Sequence, residues 1–169
     1  MVAIGDRLPD IELRDLHGEP HMLAAADGHV KVIILWSAEC PAVRLVEPRL
    51  ASLQRGWPAV VSVLFVAPNA NEPREMLQNA ARAHSIEPLL VDDGGRVADR
   101  LGGTATPQAM VIDGEGCLRY RGAVDDSTMR QREPTRHFLA DAVMAVLAGG
   151  SPEPAETPTY GCVIVREIS

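Results

Sequence analysis

The chain has 169 residues, a formal net charge of −7, 46% apolar side chains and only 4% aromatic ones. That length accommodates one domain of about 150 residues with a sizeable core plus a tail, and the shortage of aromatics leaves the core to Val, Leu, Ile, Ala and Met. An acidic balance without any basic cluster excludes the usual nucleic-acid and anionic-membrane partners.

No apolar run approaches the roughly 18 residues that span a bilayer. The opening Met1-Val2-Ala3-Ile4-Gly5-Asp6 lacks a basic region followed by an apolar stretch, so the expected location is cytoplasmic, where thiols stay reduced. Cysteines 40, 117 and 162 form neither a disulfide framework nor a zinc spacing, and histidines 17, 21, 29, 84 and 137 are scattered without i, i+4 pairing. The expectation is no metal and no cofactor.

In chain order, Ile11-Glu12-Leu13 alternates as a short strand ahead of the turn Leu16-His17-Gly18-Glu19, and His21-Met22-Leu23 reads as its partner. Residues 30–36 are, apart from Lys31, an apolar, β-branched run. Cys40 follows at the junction with a helix opened by Pro41, whose apolar face is Val43, Val46, Leu50 and Leu53, with Pro48 expected to kink it. A cysteine at a helix start feels free N–H groups and the positive helix end, which favour thiolate over thiol. Glu39 opposes that ionisation and Arg44, one turn on, is expected to favour it.

Ala59 to Ala67 is a second buried strand that completes a parallel βαβ unit with the first. Asn71 is the expected N-cap of a helix from Pro73 to His84, and Pro88 to Asp92 is an edge strand. Thr106-Pro107 then enters another apolar strand, and Asp113-Gly114-Glu115-Gly116 turns it back as Cys117 to Gly122. The last helix is expected over 134–148 with Phe138, Leu139, Ala142, Val143, Val146 and Leu147 inward. Residues 151–169 form a Pro-rich tail whose end, Tyr160-Gly161-Cys162-Val163-Ile164-Val165, is apolar enough to dock as a strand; residues 1–150 make the domain.

Leu35-Trp36-Ser37-Ala38-Glu39-Cys40-Pro41-Ala42-Val43 resembles the active-site segment of thioredoxin-like proteins. The resemblance implies an α/β thioredoxin-like fold: a central mixed sheet of about five strands flanked by helices, with an N-terminal β extension and a C-terminal tail. It assigns Cys40 as the nucleophile and leaves Val43 where the second cysteine of a Cys-x-x-Cys pair would stand. Thr106-Pro107 matches the cis-proline that faces that cysteine, with the backbone of Thr106 free to pair with an extended substrate. Cis geometry is cheap only before proline. Trp36, Pro41, Thr106 and Pro107 are therefore the expected substrate contacts.

Together with the N-terminal Gly-Asp and Pro-Asp steps, Tyr120-Arg121-Gly122-Ala123-Val124-Asp125-Asp126 and Gly161-Cys162-Val163-Ile164 are similar to the redoxin branch. That branch includes the alkyl hydroperoxide reductase and thiol-specific antioxidant proteins, and the closer likeness is to its peroxiredoxin-like group with one Cys-Pro. The leading expectation is thiol-disulfide exchange at an accessible Cys40. Its partners would be protein or small-molecule thiols and disulfides, with a thioredoxin- or glutathione-type reductant, as a monomer or homodimer. The alternatives are a thiol peroxidase and a redox-inert adaptor. Ser37 fits a peroxidase, but Ile33 and Val43 do not. The twelve residues from Gly150 to Cys162 can span up to about 40 Å, against a radius of gyration of about 15 Å for such a domain. Cys162 can therefore reach Cys40 as a resolving thiol, or simply pack within a tail strand.

Overall fold

Every residue of strand β3 (Val30–Leu35) is buried in the computed structural model, which describes residues 1–168. A strand covered on both faces needs apolar side chains at consecutive positions, which is why Val32 to Leu35 run apolar without alternation, while buried Lys31 pairs with Asp27 at 2.9 Å. Val32, Ile34 and Trp36 face one core cluster, shared with Val43, Val46 and Leu50 of α1 (Pro41–Gly56), Leu77 and Ala81 of α2 (Arg74–His84), and Leu139 and Val143 of α4 (Phe138–Leu147). Ile33 and Leu35 face a second cluster with Leu8, Ile11 and Leu23 from the N-terminal segment, Ala98 and Leu101 of α3 (Arg96–Leu101), and Ile164 from the tail.

The main sheet has the order β5-β4-β3-β7-β8, where β4 is Val61–Ala67, β5 Leu89–Val91, β7 Gln108–Ile112 and β8 Leu118–Gly122. β3, β4 and β5 are parallel, while β7 and β8 are antiparallel to their neighbours. This is the mixed thioredoxin-like sheet expected. The hairpin β1 (Glu12–Arg14) and β2 (Pro20–Met22) precedes it, and a separate two-stranded ribbon joins β6 (Ala105–Thr106) to β9 (Cys162–Val163).

Three local expectations change. α2 begins at Arg74, not at Pro73 behind an Asn71 cap. Pro73 is extended, at φ −68° and ψ 157°, and its carbonyl accepts the first bond, from the Leu77 amide at 3.1 Å. The last helix covers only 138–147. The Asp126 carboxylate takes the amides of Thr135 (2.8 Å) and Arg136 (3.0 Å), holding them in a loop instead of a helical turn. Those bonds, led by the one from the Thr135 hydroxyl, pull the Asp126 carboxyl down to about 2. Leu147 points outward at 39% exposure. α1 continues through Pro48 as one element.

The tail is fastened along β8. Arg119 donates to the Gly150 carbonyl (3.0 Å) and the Ser151 hydroxyl (2.8 Å). The Arg121 amide donates to Ala155 O (3.0 Å), the Thr157 amide to Arg121 O (3.2 Å), and the Arg121 guanidinium grips Glu156, Val2 O and Leu101 O. Tyr120 is fully buried; its hydroxyl donates to Ala123 O (2.6 Å) and meets the Thr157 hydroxyl at 2.7 Å. Burial pushes its phenol up to about 12. A Cβ at Gly122 would lie 2.1 Å from Thr157 Oγ1, so only glycine lets the tail cross there.

Removing one hydroxyl from this clasp strands its partners in an apolar site. Tyr120→Phe is expected to lose about 1–3 kcal/mol in urea unfolding. Thr157→Val added to it should cost less than its own single effect, because the two hydroxyls act on each other.

Candidate functional site

Cys40 ends the loop after β3 and is the N-cap residue of α1, with an extended backbone (φ −79°, ψ 118°) and Pro41 in the first turn. The loop is held from below. The Arg44 guanidinium donates to the carbonyls of Ser37 (2.6 Å) and Ala38 (3.1 Å), lies 5.1 Å from the centre of the Trp36 ring, and pairs with Glu47 at 2.7 Å. Trp36 Nε1 donates to the same Glu47 carboxylate at 2.8 Å, and His84 Nδ1 stands 3.3 Å from its other oxygen. Arg44 thus braces the backbone and does not act on the sulfur.

Facing Cys40 is the bond between Thr106 and Pro107, which is cis. The Cys40 thiol donates to the Thr106 carbonyl at 3.1 Å. Gln108 holds this turn by accepting from the Thr104 amide at 2.8 Å and donating to Gly102 O at 3.3 Å. The edge of Thr106, expected to be open for a substrate, is taken by the chain's own end: Thr106 pairs with Cys162 and Ala105 with Val163, antiparallel. A Cβ on Gly161 would fall 2.0 Å from Thr106 O and 3.1 Å from Pro107 Cδ, so the residue before Cys162 has to be glycine for this approach.

Beyond Cys162 the tail is held on both sides. Ile164 is buried and its amide donates to Thr104 O at 3.3 Å. Val165 donates to Asn69 Oδ1 (2.8 Å) and accepts from the Ala70 amide (2.9 Å). Arg166 reaches Asp99 (2.8 Å) and Gly103 O (3.1 Å).

This seating buries Cys40 to 2% exposure, contrary to the expected accessible thiol, while Cys162 stays partly exposed. Burial alone would raise the Cys40 thiol. Hydrogen bonding around the sulfur, with the Cys162 side chain contributing most, outweighs it and lowers the value below that of an ordinary cysteine. Thr106 Oγ1 is buried with no hydrogen-bond partner. The Cys162 thiol is pushed up to about 11, first by burial and then by the facing Cys40. One thiol of the pair is poised to ionise and the other to keep its proton.

Of the expected site residues, Cys40, Cys162, Thr106 and Pro107 come together, and Pro41 is exposed at the rim. Trp36 is fully buried and offers no face to a substrate; its ring supports the start of α1. In the sequence Ser37 fits only a peroxidase, and Glu72 carries no motif. Ser37, 4% exposed, donates a short hydrogen bond to Glu72 Oε1. Glu72, 7% exposed, lies in the loop after β4, and its Oε2 is buried with no hydrogen-bond partner. An acidic residue between Asn71 and Pro73 reads as surface in the sequence, and only the tertiary fold turns it inward.

Away from this site, Asp113, Glu115 and Cys117 bring ligand-type atoms within 4.8 Å of one another at the β7–β8 turn. Asp113 is already committed there to the Glu115 and Cys117 amides and to Arg119.

Residues 3–136 match the family model described as Redoxin. The chain is 29% identical over 119 residues to the thiol:disulfide interchange protein DsbE homolog of Paracoccus denitrificans, covering 70% of this chain and 63% of that protein. Among solved structures it is similar to a hypothetical protein from Sinorhizobium meliloti, with a TM-score of 0.88 and 27% identity over all of this chain and 97% of the other. An uncharacterized conserved protein from Geobacillus kaustophilus matches with a TM-score of 0.88 and 25% identity, over all of this chain and 95% of the other.

The two sulfurs bias each other, so each single variant should move its neighbour. Cys162→Ser keeps a donor of a weaker kind beside Cys40, whereas Cys162→Ala removes it. The pH midpoint of Cys40 alkylation by iodoacetamide should therefore rise in Cys162→Ala. Cys40→Ala should lower the midpoint of Cys162 from about 11 toward an ordinary thiol. Ile164→Asp, which puts a charge where a buried side chain seats the tail, should speed alkylation of Cys40 by about tenfold or more as that side chain's burial is lost.

Proposed function

This chain belongs to the Redoxin family, and on that premise we propose that it is a thiol-disulfide oxidoreductase whose working couple is Cys40 and Cys162. The observation that carries the reading is the register of the β6–β9 ribbon, which sets Cys162 opposite Thr106, the residue whose carbonyl accepts from the Cys40 thiol. Val43 is buried where a neighbouring second cysteine would stand. The second thiol comes instead from the far end of the chain.

The chemistry follows from the two thiols' unequal tendencies to ionise. Cys40 as thiolate attacks one sulfur of a substrate disulfide and expels the other as a thiolate, leaving a mixed disulfide on Cys40. Cys162 then attacks Cys40 Sγ, the substrate departs with its electron pair, and Cys40 and Cys162 become joined. Two electrons from a thioredoxin- or glutathione-type thiol return the couple to the dithiol. Because the seated tail covers Cys40, a protein substrate gains access only when residues 161–165 lift from Thr104–Thr106. The Paracoccus protein's printed name, a thiol:disulfide interchange protein, is consistent with this chemistry.

The peroxidase alternative draws no support from Arg44, which is spent on Ser37 O, Ala38 O and Glu47. The adaptor alternative gives no reason for two thiols to be brought together.

Peptide mapping of the mildly oxidised protein without reductant should recover Cys40 linked to Cys162, with Cys117 unmodified. Cys162→Ser should accumulate mixed disulfides on Cys40, and Cys40→Ser should lose turnover of a disulfide substrate. Absence of the 40/162 linkage would overturn the reading.

A further inference from the structure

Cys40 is covered by an extended, cysteine-bearing peptide that belongs to the same chain, and the seat of that peptide is built residue by residue. Cys162 pairs with Thr106 and Val163 with Ala105. One position before the cysteine, a Cβ on Gly161 would fall 2.0 Å from Thr106 O and 2.7 Å from Thr106 C, and these are backbone atoms that cannot swing aside. One position after it, Val163 faces solvent at 77% exposure. Two positions after it, Ile164 points the opposite way, as strand alternation requires, and is 3% exposed in the cluster that holds Leu35, Ala98 and Leu101.

Farther on, the contacts are to backbone and charge. The Val165 amide donates to Asn69 Oδ1 and its carbonyl accepts from the Ala70 amide, while Arg166 ends the run on Asp99 and Gly103 O. These are the parts of a strand-addition site: main-chain bonds that any extended chain makes, and demands on particular side chains that few sequences meet. When residues 161–165 lift, Asn69 Oδ1, the Ala70 amide and the Thr104 carbonyl lose these partners, and the pocket that Ile164 fills opens to water. Unpaired polar groups and an emptied apolar pocket both favour a replacement strand of the same kind.

We propose that this groove selects the protein disulfides on which Cys40 acts, and that the tail is the chain's own copy of the preferred segment: an extended strand with glycine immediately before the attacked cysteine and a branched aliphatic residue two positions after it. The assignment rests on Cys40 as the attacking thiol of the proposed couple. The Cys40 thiolate bonds to the sulfur of the segment's cysteine, seated opposite Thr106, and the sulfur to which that cysteine was joined leaves as a thiolate with the electron pair. Substrate strand and tail need the same edge. The tail's return to Thr106 therefore removes the substrate from its seat as Cys162 bonds to Cys40 and the substrate's cysteine leaves with the electron pair.

The test uses the full chain carrying Cys162→Ser, which cannot release what it captures, and short peptides whose cysteine is joined to the coloured thiol 5-thio-2-nitrobenzoate. Attack by Cys40 on the peptide sulfur expels that thiolate, so absorbance times the capture, and peptide mapping places the adduct on Cys40. Each rate is divided by that of the same peptide with glutathione, which removes differences in the disulfide itself. The parent peptide is Tyr-Gly-Cys-Val-Ile-Val-Arg, the sequence of residues 160–166. Alanine in place of its glycine, or asparagine in place of its isoleucine, should each slow capture by about tenfold or more. Serine in place of the valine next to the cysteine, the exposed position, should leave the rate within about twofold.

Equal rates for the four peptides, or a loss at the exposed valine as large as at the isoleucine, overturn the selection rule. The couple is judged separately with the same reagents. The wild-type chain should discharge the captured parent peptide as a free thiol, and an adduct as long-lived as that on Cys162→Ser overturns the couple, whatever the order of the four peptides.

Discussion

Pairing between Thr106 and Cys162 is the contact on which the site depends. Thr106 gives its carbonyl to the Cys40 thiol while its backbone edge carries the tail, and the cis bond to Pro107 sets that residue against the start of α1. Without the pairing, Cys40 would be a lone thiol at a helix terminus with one face open. With it, Cys40 loses its solvent and Cys162 lies across from the residue whose carbonyl the Cys40 thiol reaches. The opposed ionisation tendencies of the two thiols follow from that one register.

The pairing is prepared at a distance. Tyr120, Arg121 and Gly122 clasp residues 155–157, so the tail leaves β8 on a fixed course before it reaches β6. Arg119 does the same at residues 150–151. Gly122 and Gly161 are the two points where backbone passes too close to backbone or hydroxyl for any side chain. On the opposite wall, Glu47 gathers Trp36, Arg44 and His84 and keeps the loop before Cys40 from moving. Both walls are held by side-chain hydrogen bonds, and the element lying between them is a strand of two residues.

Much of this was legible in the sequence because the signals were local. The apolar run at 30–35, Cys40 before Pro41, the Thr106-Pro107 step and the glycine turn at 113–116 each dictate a short piece of backbone. The tail was legible as a strand, and Cys162 as within reach, but no local pattern says which edge a two-residue strand joins. The role of Arg44 was misread for the same reason. Its spacing from Cys40 is right for an ion pair, yet the carbonyls of Ser37 and Ala38 compete for the same guanidinium and win. Glu72 was invisible because its neighbours Asn71 and Pro73 mark a surface turn, and its burial is set by Ser37, thirty-five residues away.

The separation of the two sulfurs along the chain has an energetic corollary. A bond between residues 40 and 162 would close a loop of about 120 residues, and the configurational freedom it denies the unfolded chain is worth about 5 kcal/mol. By the same relation a Cys-x-x-Cys pair, three positions apart, would withhold only about 2 kcal/mol. With the proposed couple, the redox state would therefore also be a global clamp, and melting behaviour would become a gauge of electron occupancy.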